Sequence, residues 1–412
     1  MNSLKLGYLV PEFPMQTHTF FWREVLALRQ MGVEVGLLSS RRPGEACRHE
    51  FAEQAARETH YLYPPRWRTA LGAMVRHPAG VAKAVGYVLG LRESSWKQKG
   101  RTLGLMACAA DLLAWAKERG LGHVHAHSCA DVAHVVSMCR IMGGPTYSLT
   151  LHGDLEVYGT DHSRKMRGAA FVACVTSPLK QQVVEKAGVN EDKVAVIWMG
   201  VDTERFVDRG SRQSRANVLR LATVARLHLC KGHRHALAAV KRLAEEGCEV
   251  RYTIAGTGPH EQEIRQSVRE MGLEKQVDFP GTVGERGVLD LLNTVDAFVL
   301  PSVGLGEAAP VSVMEAMACG LPVICSIIGG TADMIEDGKN GILVGQGNEE
   351  GLYRAMKELA GDVQRRLELG KAARRRAVEV FDSRRGAEKL MNRIRMSHRD
   401  TKSTENHSRN EI

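Results

Sequence analysis

The sequence has little of what would place a chain in a bilayer or an oxidising compartment. Its longest apolar zone, residues 70–91, is interrupted by Arg76, His77, Pro78 and Lys83, so we expect it not to span a membrane. The 9 cysteines occur singly, with no C-x-x-C pair, which predicts reduced thiols in a cytosolic protein. The chain opens on a strand-like run rather than a signal-peptide pattern, and we therefore expect no export signal.

Aromatic residues make up only 5% of the 412 residues, and no segment resembles an RNA-binding module or a zinc finger. Nucleic acid is therefore the least favoured partner. A formal charge of +9 favours an anionic partner instead, such as a phosphate-bearing substrate or an acidic membrane surface. The 44% hydrophobic and 25% charged content is typical of globular proteins, and the length predicts two domains.

Strand-like and helical segments alternate along almost the whole chain, which predicts an α/β fold. A polar stretch at residues 208–217 interrupts the pattern, and we interpret it as a linker. We predict two doubly wound, Rossmann-like parallel-sheet domains, residues 1–207 and 218–385, that face each other across a cleft with ligands at the strands' carboxyl ends. Residues 386–412 are predicted to form a disordered polar tail, and the helices before them could pack back on the first domain.

Two carboxylates flank a small apolar segment in the second predicted domain. Pro310 suits the first turn of a helix, and residues 311–318 are predicted to form a short buried helix that ends before Gly320. Glu307 then lies in the preceding loop and Glu315 lies on the helix. A carboxylate in so apolar a helix is costly without a hydrogen-bonding partner, which favours a polar ligand for Glu315. A helix-capping Glu307 and a solvated Glu315 are the alternative.

Cations and glycines follow two predicted strands of the same domain. Arg226 and Lys231 come after the strand that ends at Ala225, where a helix should begin, and such a position is suited to a phosphate or diphosphate. Gly256 and Gly258 follow the next strand and would allow a ligand to approach closely. An ordinary tight βα turn explains these two glycines equally well. Together with the carboxylates, however, the cations indicate a site for a nucleoside diphosphate carrying a sugar.

These segments resemble a known family. The E-x7-E spacing of Glu307 and Glu315 and the segments ARLHLCKG and EAMACGLPVI are similar to the donor domain of family 4 retaining glycosyltransferases, which have the GT-B fold. The segments YLVPEFPMQTHTFFWREVLALRQMG, SLTLHGDLEVYG and VIWMGVDTERF resemble the exopolysaccharide branch of that family. The resemblance covers the chain to about Phe381.

The resemblance implies a role for each of these side chains. Arg226 and Lys231 would bind the donor diphosphate and stabilise the leaving nucleotide. Glu315 would accept hydrogen bonds from the ribose hydroxyls, and Glu307 would contact the hydroxyls of the sugar or act as a nucleophile. The further donor contacts that it implies are the His152 side chain, the backbone N–H groups of Ala308, Ala309 and Val311, and the turns at Gly256 and Gly281.

The start of the chain departs from many members of the family. A glycine-rich loop often follows their first strand, whereas PEFPMQTHTF contains no glycine. Candidates for acceptor contacts there are Glu12, Thr17 and Thr19. Asp154 and His127 are further acceptor candidates.

The segment HVHAHS places His123, His125 and His127 on one face of a strand, as in some metal sites. His134 is the one further ligand that the spacing suggests, so a strand-end site that binds substrate is favoured over zinc. No metal is predicted, and the chain also lacks the acidic D-x-D cluster that metal-dependent transferases commonly use.

Residues 66–101 mix tryptophan and leucine with arginine and lysine. Such a stretch can lie on an anionic membrane, and helices packed on the first domain are the equal alternative. The resemblance implies a lipid-linked or oligosaccharide acceptor, which suits association with the cytoplasmic face of the inner membrane.

The resemblance as a whole implies a retaining, metal-independent transfer of a hexose from a UDP- or GDP-linked donor to a growing exopolysaccharide or cell-surface glycan. No cofactor beyond this nucleotide-sugar co-substrate is expected. A sugar-nucleotide epimerase or hydrolase of the same fold is an alternative, and so is a non-catalytic scaffold of a polysaccharide assembly complex.

Overall fold

The computed structural model describes residues 4–44, 47–210, 214–304 and 307–410, with side chains described as far as Ser397. The chain divides into two compact units. The first unit comprises Met1–Ile197 and Gly386–Ile412, and the second comprises Trp198–Arg385.

The first unit is built on a seven-stranded sheet in which all paired strands are parallel. The strand order is β3-β2-β1-β4-β5-β6-β7, so the order reverses between β1 and β4. The strands are rich in buried apolar residues, as expected where helices cover both faces of a parallel sheet. Their bounds are β1 (Lys5–Glu12), β2 (Glu34–Arg41), β3 (His60–Tyr61), β4 (His123–Ala126), β5 (Thr146–Leu151), β6 (Val172–Cys174) and β7 (Val194–Val196).

Helices connect the strands of this sheet. The long connection between β3 and β4 contains four of them, which include the stretch that the sequence predicts to be either membrane-bound or packed on the domain. The helices of the first unit are α1 (Thr19–Gln30), α2 (Ala52–Glu58), α3 (Trp67–Arg76), α4 (Pro78–Leu89), α5 (Trp96–Gly104), α6 (Met106–Arg119), α7 (Asp131–Ile141), α8 (His162–Met166) and α9 (Ser177–Ala187).

The second unit repeats this architecture with a six-stranded parallel sheet. Its strand order is β10-β9-β8-β11-β12-β13, which reverses between β8 and β11. The bounds are β8 (Val218–Val224), β9 (Glu249–Ala255), β10 (Val277–Gly281), β11 (Ala297–Leu300), β12 (Val323–Ser326) and β13 (Ile342–Val344).

Seven helices lie wholly within the described residues of the second unit, and a last one begins there and continues into the first. The bounds of α13 are those predicted from Pro310 and Gly320. The helices are α10 (His233–Glu245), α11 (Glu261–Glu270), α12 (Glu285–Leu292), α13 (Val311–Ala318), α14 (Thr331–Met334), α15 (Glu349–Gly361), α16 (Val363–Val380) and α17 (Ser383–Asn410).

The described structure differs from the prediction at two boundaries. The first unit ends at Ile197 rather than at residue 207, and Ser214, in the described part of the predicted linker 208–217, donates to Asp296 of the second unit at 2.8 Å. The sequence predicts a disordered tail from residue 386, whereas the structure has α17 from Ser383 to Asn410. Its apolar residues are buried at helical spacing, which stabilises it: Ala387, Leu390, Met391 and Ile394.

Within the described part of the chain, we find no helix that combines the length and the apolar character needed to cross a membrane.

Candidate functional site

In each unit the strand order reverses between two central strands, and ligands of such sheets commonly bind at the carboxyl ends of the strands beside this point. In the second unit the loops follow β8 and β11. They meet at Gly232, which has a left-handed φ of 68°. A Cβ atom there would lie 1.8 Å from the Pro301 carbonyl oxygen, so only glycine permits this approach.

The contact between these loops brings together two of the predicted site residues. Lys231 Nζ forms an ion pair with Glu307 Oε2. Ser302 Oγ donates to the same carboxylate oxygen at 2.9 Å. The Lys231 and Glu307 side chains are only 16% and 11% exposed, so the pair is largely shielded from solvent and each charge needs the other. The sequence predicts separate ligand contacts for the two groups, and the structure shows that they contact each other.

The Glu307 backbone is held from the other side by the loop after β12. Gly330 N–H donates to the Ala308 carbonyl at 2.7 Å. Gly329 has a φ of 53°, and a Cβ on it would lie 1.7 Å from the Glu307 carbonyl oxygen. The segment before α13 is therefore fixed between two loops, and Ala308 is buried in it.

Glu315 lies on α13 with 7% of its surface exposed. Pro310 is the N-cap residue of this helix, and Val311 is its first residue. The first backbone N–H groups of a helix have no acceptor within the helix, and they favour an anionic ligand. Val311 and the partly buried Ala309, for which the resemblance implies donor contacts, lie at and just before the start of this helix.

The remaining predicted donor residues lie in the loops after β8, β9 and β10. The Arg226 side chain is exposed, and the Arg226 carbonyl lies 3.3 Å from His233 Nε2. The next residue, Leu227, donates its N–H to the Thr257 carbonyl at 3.0 Å. Gly256 N–H donates to the Gly281 carbonyl at 2.8 Å, so these two turns adjoin each other. The cation and both glycines therefore line the same edge of the sheet.

The reversal point of the first unit, between β1 and β4, holds a buried polar chain instead of an ion pair between loops. Tyr8 O–H donates to Glu24 Oε2 at 2.6 Å. His127 Nε2 lies 3.3 Å from the same oxygen, and His127 Nδ1 lies 3.2 Å from His152 Nε2. Tyr8, Glu24 and His127 are at most 2% exposed, whereas His152 is partly exposed.

Burial sets the charges in this chain. It raises the pKa of Glu24 to about 7, although the hydrogen bond from Tyr8 lowers it. It lowers the pKa of His152 to about 3 and that of His127 well below its usual value. The two imidazoles are therefore neutral at pH 7, because the protein interior disfavours their charged forms.

The other two histidines of the HVHAHS segment contact hydroxyl groups. His123 contacts the Thr146 and Ser148 hydroxyls at 2.8 and 2.7 Å. His125 contacts the hydroxyls of Ser148 and Thr150, both at 2.7 Å. Both nitrogens of each ring thus have a neutral partner. Across the ranges that the structure describes, no three histidine, cysteine or acidic residues are grouped as a metal site would require.

The predicted acceptor residues have different surroundings. Thr17 is exposed in the turn before α1. Glu12 pairs with Arg41 at 3.1 Å, and Asp154 accepts a hydrogen bond from Gln182 at 2.7 Å. His127, another acceptor candidate, is buried behind His152 rather than at a surface.

The predicted site residues do not include Tyr8, Glu24 and Ser302. Glu24 had a detectable signal, because it is an acidic residue between Phe21, Val25 and Leu28 on a helix face that is otherwise apolar. Nothing in the sequence pattern distinguishes Tyr8 or Ser302.

Two family models match consecutive parts of the chain. The model described as "Glycosyltransferase Family 4" matches residues 18–205, and the model described as "Glycosyl transferases group 1" matches residues 205–376. The chain belongs to the family 4 glycosyltransferases. The first match contains Glu24, His127 and His152, and the second contains Lys231 and Glu307. The resemblance drawn from the short motifs is therefore confirmed.

Curated relatives align over most of this glycosyltransferase. It is 29% identical over 380 residues to WcaL of Escherichia coli, named for colanic acid biosynthesis, and the alignment covers 86% of this chain and 90% of WcaL. It is 26% identical to the amylovoran biosynthesis glycosyltransferase AmsK of Erwinia amylovora, with 87% and 91% of the two chains covered.

Solved structures share its fold. Anabaena HepE in complex with UDP and glucose matches with a TM-score of 0.71 at 17% identity, covering 95% of this chain and 100% of that one. The lipopolysaccharide outer core galactosyltransferase WaaB matches with a TM-score of 0.66 at 17% identity, covering 95% and 99%. These similarities confirm the predicted GT-B fold of two Rossmann-like domains.

Proposed function

We propose that this glycosyltransferase moves a hexose from a UDP- or GDP-linked donor to a growing, lipid-linked exopolysaccharide or cell-surface glycan. The observation that carries the proposal is the Lys231, Ser302 and Glu307 cluster at the reversal point of the second sheet. The names of WcaL and AmsK support the polysaccharide product, and the UDP and glucose in the HepE complex support the type of donor.

Lys231 and Arg226 act on the diphosphate in this proposal. Sugar transfer leaves a nucleoside diphosphate whose negative charge grows as the glycosidic bond breaks, and a prepositioned cation stabilises that charge. A donor phosphate would compete with Glu307 for the Lys231 ammonium. Glu307 would then be released to accept hydrogen bonds from the sugar hydroxyls. Because these cations supply the positive charge, we propose that transfer needs no metal and proceeds in chelator.

Glu315 and the backbone before it hold the rest of the donor. We assign the ribose hydroxyls to the Glu315 carboxylate, and the sugar and phosphate to the N–H groups of Ala308, Ala309 and Val311. For a retaining reaction we favour attack by the acceptor hydroxyl on the same face of the sugar that the phosphate leaves. The leaving phosphate then accepts the proton of that hydroxyl. Glu307 is then a binding group. A trapped glycosyl adduct on Glu307 would reverse this assignment and make it the nucleophile.

His152 contacts the transferred sugar in this proposal, as the family resemblance implies. It is the outermost member of the Glu24, His127 and His152 chain, and the residue is partly exposed. The acceptor contacts remain assigned to the region of Thr17 and Asp154.

Nucleotide binding to the whole chain tests the donor assignment. Thermal unfolding is measured in chelator with UDP, GDP and ADP, and then with their sugar conjugates. A nucleotide at 100 times its Kd should add about 2.7 kcal/mol to the free energy of unfolding. We expect the nucleotides of one base to stabilise the protein in this way. Glu315→Ala should abolish this stabilisation, whereas the exposed control Glu336→Ala should keep it.

Two outcomes contradict the proposal in different ways. If no nucleotide raises the unfolding midpoint, with or without added metal, a scaffold of a polysaccharide assembly complex becomes the better assignment. If a sugar nucleotide binds but its sugar is released or converted rapidly with no acceptor present, the chain is a hydrolase or an epimerase of the same fold.

We also propose that α3 attaches the protein to an anionic membrane surface. Trp67, Leu71 and Val75 follow one another at four-residue spacing along this helix and are 58%, 56% and 78% exposed. Arg68 and Arg76 are exposed beside them. An apolar stripe flanked by arginines suits a bilayer with acidic headgroups, where the aliphatic and aromatic groups insert and the guanidinium groups bind phosphate.

Co-sedimentation with vesicles tests this surface. We expect binding to vesicles that contain phosphatidylglycerol and weaker binding to vesicles of phosphatidylcholine alone. Replacing Trp67, Leu71 and Val75 together by serine should abolish binding, whereas Leu367→Ser, at an apolar position of α16 that is 49% exposed, should not. Binding that survives the triple substitution would overturn the assignment.

A further inference from the structure

The polar chain in the first unit runs from a buried carboxylate to a partly exposed imidazole. Glu24 Oε2 lies 3.3 Å from His127 Nε2, a buried nitrogen that forms no hydrogen bond with any described residue. The other nitrogen of that ring, Nδ1, lies 3.2 Å from His152 Nε2. Each contact in this chain joins a single atom of one group to a single atom of the next. The protonation of Glu24 therefore constrains where the proton of His152 lies.

We propose that Glu24 is a positioning residue that fixes the tautomers of His127 and His152, so that His152 presents Nδ1 as a hydrogen-bond acceptor. Contacts within the first unit support these tautomers of His127 and His152. What His152 Nδ1 then contacts, a hydroxyl of the sugar, rests on the proposed function.

The direction of the chain follows from what each group can donate. An ionised carboxylate only accepts, so the proton of neutral His127 is placed on Nε2, facing Glu24. His127 Nδ1 then has a lone pair and needs a donor, which is His152 Nε2–H. A neutral imidazole carries one proton, so His152 Nδ1 is left as the acceptor.

The surroundings keep both rings neutral. Besides Glu24 and His152, the titratable groups near His127 are Tyr8, His18 and His125. Burial raises the pKa of the Tyr8 hydroxyl, so it stays protonated and donates to Glu24. Burial also lowers the pKa of His125 to about 3, so it adds no charge at neutral pH.

The surroundings also prevent the rings from turning over. Phe21 packs edge-on against His127 and His152, with centroid distances of 4.8 and 5.3 Å. Tyr8 covers His127 from another side at 4.4 Å. The backbone N–H of His152 donates to the Tyr158 hydroxyl at 2.7 Å, which fixes the loop that carries the ring. With the rings held in place, only the proton positions can change.

The arrangement has a chemical consequence for the reaction. A sugar hydroxyl can donate its hydrogen to His152 Nδ1 and still use its oxygen lone pairs elsewhere. If Nδ1 carried the proton, the hydroxyl would have to accept a hydrogen bond instead, and its own hydrogen would point away from His152. Protonation of Glu24 removes the group that selects the tautomer, so the preference should weaken as the pH falls through the pKa of Glu24, near 7.

Nitrogen-15 NMR of the whole chain with labelled histidines tests the proposal directly. The couplings of each ring nitrogen to the carbon-bound ring protons identify its tautomer, and His127→Gln and His152→Gln variants assign the signals. At pH 8.5 we expect His127 and His152 both to be protonated at Nε2. Glu24→Gln should change the pattern of both rings but leave that of His125, whose partners are the Ser148 and Thr150 hydroxyls.

The same spectra can overturn it. A wild-type His152 protonated at Nδ1 at pH 8.5 contradicts the proposal, as do Glu24→Gln spectra in which both rings are unchanged. If Glu24→Gln fails to fold, the wild-type titration decides. Lowering the pH from 8.5 to 6 should alter the two rings together, and rings that stay constant over this range would refute the proposal.

Kinetics separate this inference from the proposed function. With an active sugar-nucleotide donor, Glu24→Gln should lower kcat about tenfold with little change in donor KM, the order expected from one misdirected hydrogen bond. It should also remove the loss of activity near pH 7, and Glu24→Asp should restore part of both. If the tautomers are as expected but no sugar is transferred, Glu24 still positions the rings and the proposed function fails.

Discussion

The reversal points of the two sheets use polar groups in opposite ways. In the second unit Lys231 and Glu307 are charged, come from loops and stay partly exposed. In the first unit His127 and His152 are neutral and are held to Glu24 on a buried helix face. A charged ligand can be matched only by charges that it can reach, whereas a neutral imidazole donates from one nitrogen and accepts at the other and can therefore pass on a direction of hydrogen bonding. We infer that the second unit binds charge and the first orients protons.

Lys231→Ala removes a charged group from the second unit and should have the largest effect on activity. We expect a loss of on the order of 10²-fold or more in kcat, as for removal of one preorganised group that stabilises developing charge. Transfer from the nucleotide sugar is measured in chelator beside Lys339→Ala, which breaks an exposed ion pair with Glu336. The control should keep normal turnover, and normal turnover in Lys231→Ala would remove the main support for the donor assignment.

Gly329→Ala should have the next largest effect. The added Cβ would lie 1.7 Å from the Glu307 carbonyl oxygen, so the backbone that carries the site carboxylate must move. Gly272 has a similar φ of 69° with open space around it, so Gly272→Ala isolates the strain of the left-handed conformation, about 1 kcal/mol. We expect Gly329→Ala to lose roughly 2 kcal/mol beyond that strain.

Chemical denaturation measures both glycine variants, and nucleotide binding is compared at a temperature where each is folded. The Gly329 variant should bind the nucleotide less tightly than the Gly272 variant. Equal stability and equal binding in the two would show that the loop after β12 does not hold Glu307.

Sequence patterns predict the parts of this molecule that local physics determines. Pro310 and Gly320 fix the ends of α13, and the alternation of strands and helices places Arg226, Lys231 and Glu307 at strand ends. The Lys231 to Glu307 contact joins residues 76 positions apart. It depends on how two loops meet, which no periodicity encodes.

The same reasoning explains the other errors. Glu24 is recognisable as an acidic residue on an apolar helix face, but its partners come from β1 and the loop after β4, so the strand order must be known first. Residues 386–412 are predicted to be disordered because their polar residues outnumber a few apolar ones. Leu390, Met391 and Ile394 are nevertheless enough for a helix when each is buried.

Acid should weaken the first unit through its neutral histidines. His125 has a folded pKa of about 3 against an ordinary value of 6.5. The unfolded chain therefore binds a proton that the folded chain refuses between these values, so stability is fully present above pH 6.5 and falls as the pH drops towards 3. His125 alone contributes a slope of about 1.4 kcal/mol per pH unit in that window. Glu24 works in the opposite direction between pH 7 and 4.5, because its folded pKa is raised.

Urea denaturation between pH 7 and 5 measures this slope in the wild type, in His125→Gln and in a partly exposed control, His235→Gln. Glutamine can still bond to the Ser148 and Thr150 hydroxyls but cannot titrate, so we expect the His125 variant to lose less stability on acidification than the wild type. The control should follow the wild type. If all three slopes coincide, His125 accepts a proton in the folded protein, and the first unit does not keep its imidazoles neutral as the contrast between the two sheets requires.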